Sequence, residues 1–376
     1  MKKIIIASDS FKGCLSSLEV TRAAENGIRK VLPDCEVVGI PVADGGEGTT
    51  EALVDAMSGR YVECDVHDPL MNPIKVKYGI LGDGVTAVIE MASASGLTLV
   101  PPALRNPMLT TTYGTGELIK DALQRGCSRF LIGIGGSATN DGGTGMLQAL
   151  GFRFYDKNEM ELGKGGQILE HIARIDFENV IPDVLKSIFT IACDVNNPFS
   201  GENGAAFIYA RQKGADDNMI RLLDTGLKQF AKAIHDSIGK DIDPIPGAGA
   251  AGGLGGGFLA FLPATLKPGI QMVLETLNFD SRIQNADLII TGEGKLDRQT
   301  GMGKTPAGIL EAGKRQNIPV VAIGGVVEET DALMQQGFLS VMSIQPGPVS
   351  LENAMEHSYA FTQVERIVEQ IIRLRL

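Results

Sequence analysis

The sequence has no CxxC pair: its five cysteines, Cys14, Cys35, Cys64, Cys127 and Cys193, lie far apart. That spacing argues against a zinc framework or a disulfide scaffold and fits a reducing compartment. No HExxH string or His–Cys cluster occurs, and His67, His171, His235 and His357 all fall outside the glycine-rich segments described below. They read as ordinary surface or packing histidines, so a general base in this chain would be a carboxylate. No apolar run approaches the roughly 18 residues of a membrane span. Met1-Lys2-Lys3 followed by Ile4-Ile5-Ile6-Ala7 imitates the start of a signal peptide, yet the apolar run stops at Ser8-Asp9. That is short of the roughly 7–15 residues such a peptide needs, and the run is expected to be a buried first strand of a cytoplasmic protein. The net charge of −11 leaves no broad basic surface for nucleic acid. Neither nucleic acid nor membrane is expected as a partner.

What is present is globular in character: 44% apolar and 21% charged residues, with no low-complexity tract. The 47 glycines cluster instead of recurring every third residue, which points to loops that need positive φ or close backbone approach to a ligand. A chain of 376 residues accommodates two domains of ordinary size.

The first unit reads as βαβ. Residues 4–7 form a strand, and Ser16 with Glu19 is a capping box opening a helix that carries Val20, Ala24, Ile28 and Val31 on one face and ends at Pro33. Residues 37–42 form a second strand buried on both sides. From about Tyr61 short apolar runs at 61–66, 74–81 and 85–91, separated by turn signals, suggest antiparallel pairing. A helix over 117–124 and strands over 130–134 and 188–193 follow. The last hundred or so residues return to regular α/β units, with strands at 288–291, 320–323 and 340–344 and helices at 306–316, 330–336 and 351–373. Two buried strands cannot make a stable open parallel sheet alone. We therefore expect an α/β fold with a discontinuous, doubly wound domain, residues 1–68 plus 283–376, interrupted by a mixed α/β domain over 69–282.

Five apolar runs lead directly into glycine-rich or acidic segments. These are Ser8-Asp9-Ser10-Phe11-Lys12-Gly13, Ala43-Asp44-Gly45-Gly46-Glu47-Gly48, the run from Gly135, Gly136, Ser137 and Asn140 to Asp141, Asp194-Val195-Asn196-Asn197, and Gly292-Glu293-Gly294-Lys295-Leu296-Asp297. A glycine or acidic residue after one strand is often only a turn or a helix cap. Five such segments are better explained as the rim of one site, because open α/β sheets bind ligands outside the carboxyl ends of their strands.

The residue types suggest phosphoryl transfer, which needs positioning and charge stabilisation and little covalent chemistry. Carboxylates suit Mg²⁺, with Asp44, Glu293 and Asp297 as candidate ligands. Successive N–H groups at Gly45, Gly46, Gly135, Gly136, Gly252 and Gly253 could form anion nests. Thr305-Pro306 reads as N-cap and first residue of a helix whose amino end favours an anion, and Thr300 lies just upstream. Lys12, Lys295 and Lys304 could neutralise phosphate oxygens, while Asp44, Asp194 or Asp297 would accept the substrate hydroxyl proton. Mg²⁺–ATP would sit between the domains, and Ser8, Asp9, Ser10, Glu47, Ser137, Asn140, Asp141 and Asn197 are further candidates for holding substrate or phosphate. Two strings mislead. Residues 247–252 satisfy GxGxxG but follow no convincing strand, and Gly303-Lys304-Thr305 lacks the upstream glycine of a phosphate-binding P-loop.

At these segments the chain resembles the type I glycerate kinase family over nearly its whole length. The matching residues are SDSFKG at 8–13, PVADGGEGT at 41–49, GIGGSATNDGG at 133–143, Asp194 to Pro198 with Gly201, Gly204 to Ala206, Gln212 to Ala215, GAGAAGGLG at 247–255 and GEGKLDRQTGMGKTPAG at 292–308. The resemblance implies a Rossmann-like domain joined to a restriction-endonuclease-like domain, and ATP-dependent phosphorylation of glycerate, usually to 2-phosphoglycerate. Asn196, Phe199 and Tyr209-Ala210-Arg211 depart from the family's usual residues. A kinase of another small hydroxy-acid, or a non-catalytic sensor of a phosphorylated metabolite, are the alternatives.

Overall fold

Ile4, Ile5 and Ile6 are wholly buried in strand β1 (Lys3–Ile6), as an apolar run without a polar face requires. The structure is a computed structural model and describes residues 1–297, 300 and 303–375. Arg298, Gln299, Gly301 and Met302, inside the last family segment, and Leu376 lie outside the described residues. After β1, Ser16 and Glu19 form the reciprocal capping box: Ser16 Oγ accepts from the Glu19 N–H at 3.3 Å, and Glu19 Oε2 accepts from the Ser16 N–H at 2.8 Å. The helix Ser17–Arg29 buries Val20, Ala24 and Ile28, but it stops ahead of Val31 and Pro33. Strand β2 (Glu36–Gly39) pairs in parallel with β1. It is shorter than expected and none of its residues is buried, because it is the edge of the sheet and has a neighbour on one side only.

The chain then builds its second sheet. Strands β3 (Arg60–His67), β4 (Pro73–Ile80) and β5 (Thr86–Glu90) are antiparallel, in agreement with the turn signals between them. β6 (Arg129–Gly133) pairs in parallel with β5, and β7 (Arg153–Tyr155) forms a separate antiparallel pair with β8 (Arg174–Asp176). β9 (Ile188–Ala192) and β10 (Ala264–Lys267) extend the parallel part, giving the order β10-β9-β6-β5-β4-β3. A helix that the expected elements lack, Asp217–Ile238, buries Ile220, Leu223, Leu227, Phe230 and Ile234. Phe130 and Phe189 stack in this core at 4.7 Å between ring centroids.

The last three strands are β11 (Leu288–Leu296), β12 (Val320–Val327) and β13 (Ser340–Ser343). They join the first two in an all-parallel sheet of order β13-β12-β11-β1-β2. One expectation is overturned here: Gly292, Glu293, Gly294 and Lys295 are not a loop. β11 continues through them, with Glu293 opposite Gly324 and Lys295 opposite Val326, because a long β12 offers hydrogen-bonding partners beyond the apolar stretch. The single C-terminal helix expected over 351–373 is two, Leu351–Ala354 and His357–Leu374. Glu356, extended in backbone, caps the second by accepting from the N–H groups of Ser358 and Tyr359. The fold is mixed α/β, and the chain divides into two compact units, Met1–Met57 with Pro268–Leu376 and Ser58–Lys267.

Candidate active site

In the first unit the strand order reverses between β1 and β11, and the residues beyond their carboxyl ends are where an open parallel sheet binds a ligand. Ser8 follows β1 and its Oγ donates to the Gly292 carbonyl at 3.0 Å, tying the two strands together. Asp9 is 3% exposed. Its Oδ1 accepts from the Ser10 N–H at 2.6 Å and its Oδ2 from Thr305 Oγ1 at 3.0 Å. Burial, reinforced by the negative charge of Asp44, raises the Asp9 carboxyl to about 7, against the pull of those two hydrogen bonds and of Lys12. Lys12 itself is exposed.

Thr305 was expected as the helix N-cap. Lys304 occupies that position instead, and Thr305 is the first residue of the helix Thr305–Arg315. The Thr305 hydroxyl is thereby committed to Asp9 and not to the helix's own N–H groups. Glu293 projects from β11 and is buried; its Oε1 accepts from Thr300 Oγ1 at 2.6 Å, and its Oε2 lies 3.9 Å from Lys304 Nζ. Its carboxyl is pushed up by burial, with Asp44 and Asp297 adding repulsion. Asp44, in the loop after β2, accepts from the Gly46 N–H at 3.0 Å, between Gly45 and the exposed Glu47. A Cβ at Gly269 would stand 1.8 Å from the Asp44 carbonyl, so only glycine lets that segment approach the loop. Lys295 reaches Glu328 at 3.0 Å and Asp297 at 3.6 Å. Ser8, Asp9, Ser10, Asp44, Glu293, Asp297, Thr300, Lys304 and Thr305 are thus linked residues of one sheet end.

The second unit carries the other candidates. Gly135 and Gly136 are exposed in the turn after β6. Asp141 is wholly buried and saturated: Oδ2 accepts from Thr112 N–H at 2.8 Å, Thr112 Oγ1 at 2.9 Å, Gly145 N–H at 3.2 Å and Thr111 Oγ1 at 3.4 Å, and Oδ1 from Gly143 N–H at 3.1 Å. Its carboxylate is spent on holding the loop to residues 111–112. Asn140 is also wholly buried, and among the described residues neither its Oδ1 nor its Nδ2 has a hydrogen-bond partner. Ala251, Gly252 and Gly253 are three successive left-handed residues, and a Cβ at Gly252 would lie 2.0 Å from the Thr139 carbonyl. The GxGxxG string is therefore a packing surface for the neighbouring loop and follows no strand. Asp194 is exposed in the loop after β9. Nearby, Asn197 Nδ2 donates to the Asn203 carbonyl at 2.8 Å, and Tyr209, one of the departures, donates from its hydroxyl to Asn197 Oδ1 at 2.5 Å. Phe199, another departure, is wholly buried beside Phe230.

Sequence reasoning missed Lys213, which is 2% exposed and donates to the Thr139 carbonyl at 2.6 Å and to Ser137 Oγ at 3.1 Å. The segment 212–215 was visible as a family match, but lysine is almost always a surface residue and its burial depends on contacts distant in sequence.

Among the described residues no three His, Cys, Asp or Glu side chains form a metal cage. Mg²⁺ needs none, since it is usually held by one or two carboxylates together with substrate phosphates and water. Among the described residues, no helix is long and apolar enough to cross a membrane.

A model of the glycerate kinase family matches residues 4–376. The chain is 49% identical to a glycerate kinase of Bacillus subtilis (strain 168), over 96% of this chain and 95% of that one. It is 45% identical to a glycerate 2-kinase of Escherichia coli (strain K12), over 95% and 94%. It superimposes on a crystal structure of a candidate glycerate kinase 2 from Salmonella typhimurium LT2 with a TM-score of 0.92 and 43% identity, covering 99% of this chain and 98% of that one. Sequence segments, sheet order and whole-length similarity converge, and the chain belongs to the glycerate kinase family and is a kinase.

Proposed function

We propose that this protein transfers the γ-phosphoryl group of ATP to glycerate with Mg²⁺, giving 2-phosphoglycerate. The observation that carries the reading is the carboxylate and lysine array at the switch point of the first unit's sheet, in a chain of this family. Asp9 and Glu293 are held above their ordinary range by burial and by the nearby Asp44 charge, an environment that a cation relieves. Asp44, Glu293 and Asp297 would hold Mg²⁺, which when bound neutralises phosphate charge. Lys12 and Lys304 would pair with phosphate oxygens. One of Asp44, Asp194 and Asp297 would take the hydroxyl proton. Ser8, Asp9, Ser10, Gly45, Gly46, Glu47, Thr300 and Thr305 would position one anionic ligand, and Gly135, Gly136, Ser137, Asn140, Asn197, Gly252 and Gly253 another, with Asp141 holding that loop in shape from within.

We take the two compact units to be two domains. The free cysteines support a cytoplasmic enzyme. The 2-phosphoglycerate product follows if a nest grips the substrate carboxylate close to the transferring phosphate, because a near-attack distance of about 3–3.5 Å serves one hydroxyl at a time and C2 is then nearer than C3. Phosphorus NMR of ATP and glycerate with the purified protein tests this. We expect a 2-phosphoglycerate resonance that requires added Mg²⁺ and disappears in excess EDTA. A first-formed 3-phosphoglycerate signal overturns the regiochemistry, and turnover undiminished by chelator overturns the metal role.

A further inference from the structure

A lysine ammonium buried to 2% exposure needs a reason, because burial of a charge costs more than its packing returns unless it is paired and fully hydrogen-bonded. Lys213 is neither. Among the described residues its Nζ has two acceptors, Ser137 Oγ and the Thr139 carbonyl, for three N–H donors. The opposing charge that acts on it, Asp141, is occupied by Thr111, Thr112, Gly143 and Gly145. Both Lys213 acceptors lie in the glycine-rich loop after β6, and they lead further. Ser137 Oγ accepts from the Thr139 N–H at 3.1 Å and lies 3.3 Å from the Ala251 carbonyl. Ala251 begins the left-handed run that presses Gly252 against the Thr139 carbonyl. One ammonium thus ties three segments: residues 135–143, residues 211–213 and the start of the left-handed turn at 251–253. Burial lowers the Lys213 ammonium to about 7, and its hydrogen bonds hold it against a loop whose outer glycines, Gly135 and Gly136, are exposed. The one acidic side chain of that loop, Asp141, faces inward.

We propose that Lys213 is a positioning residue that sets the loop 135–140 in its anion-binding form and supplies the buried charge that makes the loop a site for a carboxylate or phosphate group. The inference rests on the reading of that loop as an anion nest and deepens it. Replacing a buried, incompletely paired charge by an apolar side chain of similar shape is often neutral or stabilising. A purely structural role for Lys213 and a ligand-positioning role therefore give opposite signatures.

The test is Lys213→Met. We expect a melting temperature equal to or above that of the wild type, with KM for glycerate or for ATP raised about tenfold or more and kcat changed less. Whichever KM moves names the anion that the loop holds. Calorimetric titration with glycerate alone and with inorganic phosphate alone, in the absence of turnover, should show the loss of affinity for the one that matches the KM that moves, glycerate for glycerate and phosphate for ATP. That binding readout separates this inference from the kinase reading, which fails instead if the wild type shows no ATP-dependent turnover. Should Lys213→Met not fold, Ser137→Ala keeps the lysine and removes one of its acceptors, and a smaller rise in the same KM is expected. Unchanged KM values and affinities in a folded variant, or a loss of activity that follows a fall in melting temperature, would overturn the proposal.

Discussion

At the scale of single residues, Asp9 is the most consequential side chain for pH behaviour. Its carboxyl is raised from 3.8 to about 7 by burial, with Asp44 adding to the effect. Between those values the native state holds a proton that the unfolded chain has released. Stability contributed by Asp9 is therefore complete below about pH 4 and is lost as pH rises through 7, by at most about 4 kcal/mol. In Asp9→Asn this descending contribution should vanish. Urea unfolding of both proteins in chelator, at a series of pH values from about 4 to 8, measures the difference, and parallel curves would refute it. Much of this neighbourhood was readable from residues alone: Ser8, Asp9 and Ser10 sit just past β1, as the apolar run implied, whereas Asp44 lies in the loop beyond a β2 that ends at Gly39. Glu293 was found as a residue but misplaced as a loop position, since its strand exists only by virtue of pairing with β12. Lys213 was not found, because nothing local distinguishes a buried lysine from a solvated one.

Secondary-structure elements show the same division between local and distant causes. The capping box at Ser16 and Glu19 involves four consecutive residues, so the sequence displays it whole. Ser16→Ala should cost about 1 kcal/mol through the lost N-cap and leave kinetics with glycerate and ATP unchanged. Equilibrium unfolding checks the first part, and a loss below about 0.3 kcal/mol would show that the cap contributes little. The helix Asp217–Ile238 carries equally local signals. Asp216 accepts from the Met219 N–H at 2.8 Å as N-cap, apolar residues recur at helical spacing, and Gly239 closes it in the left-handed conformation with φ 68°. Its absence from the expected elements reflects no ambiguity in the chain. By contrast, the true ends of β2 and β11 were illegible. β2 is cut short by its edge position and β11 is prolonged by its partner, and neither neighbour is near in sequence.

At the scale of the whole molecule, the parallel sheet of the first unit takes its strands from both ends of the chain, with Ile4 opposite Leu288. The second unit, Ser58–Lys267, is contiguous, and all the strands of its larger sheet are supplied within it. This arrangement imposes an order on synthesis and refolding. As the chain leaves the ribosome, β1 and β2 have no central partner until β11 emerges, while the contiguous unit already holds everything its core requires. Contacts between residues so remote carry a large loop-closure cost before they return any stabilisation. Pulse-labelled hydrogen exchange during refolding should find the amides of β5, β6 and β9 protected before those of β1 and β11, and simultaneous protection would contradict this order. The carboxylates proposed to hold Mg²⁺, Asp44 after β2 with Glu293 and Asp297 at the end of β11, would then be among the last parts of the enzyme to assemble, so that a nascent or C-terminally truncated chain carries the whole second unit without the means to transfer phosphate.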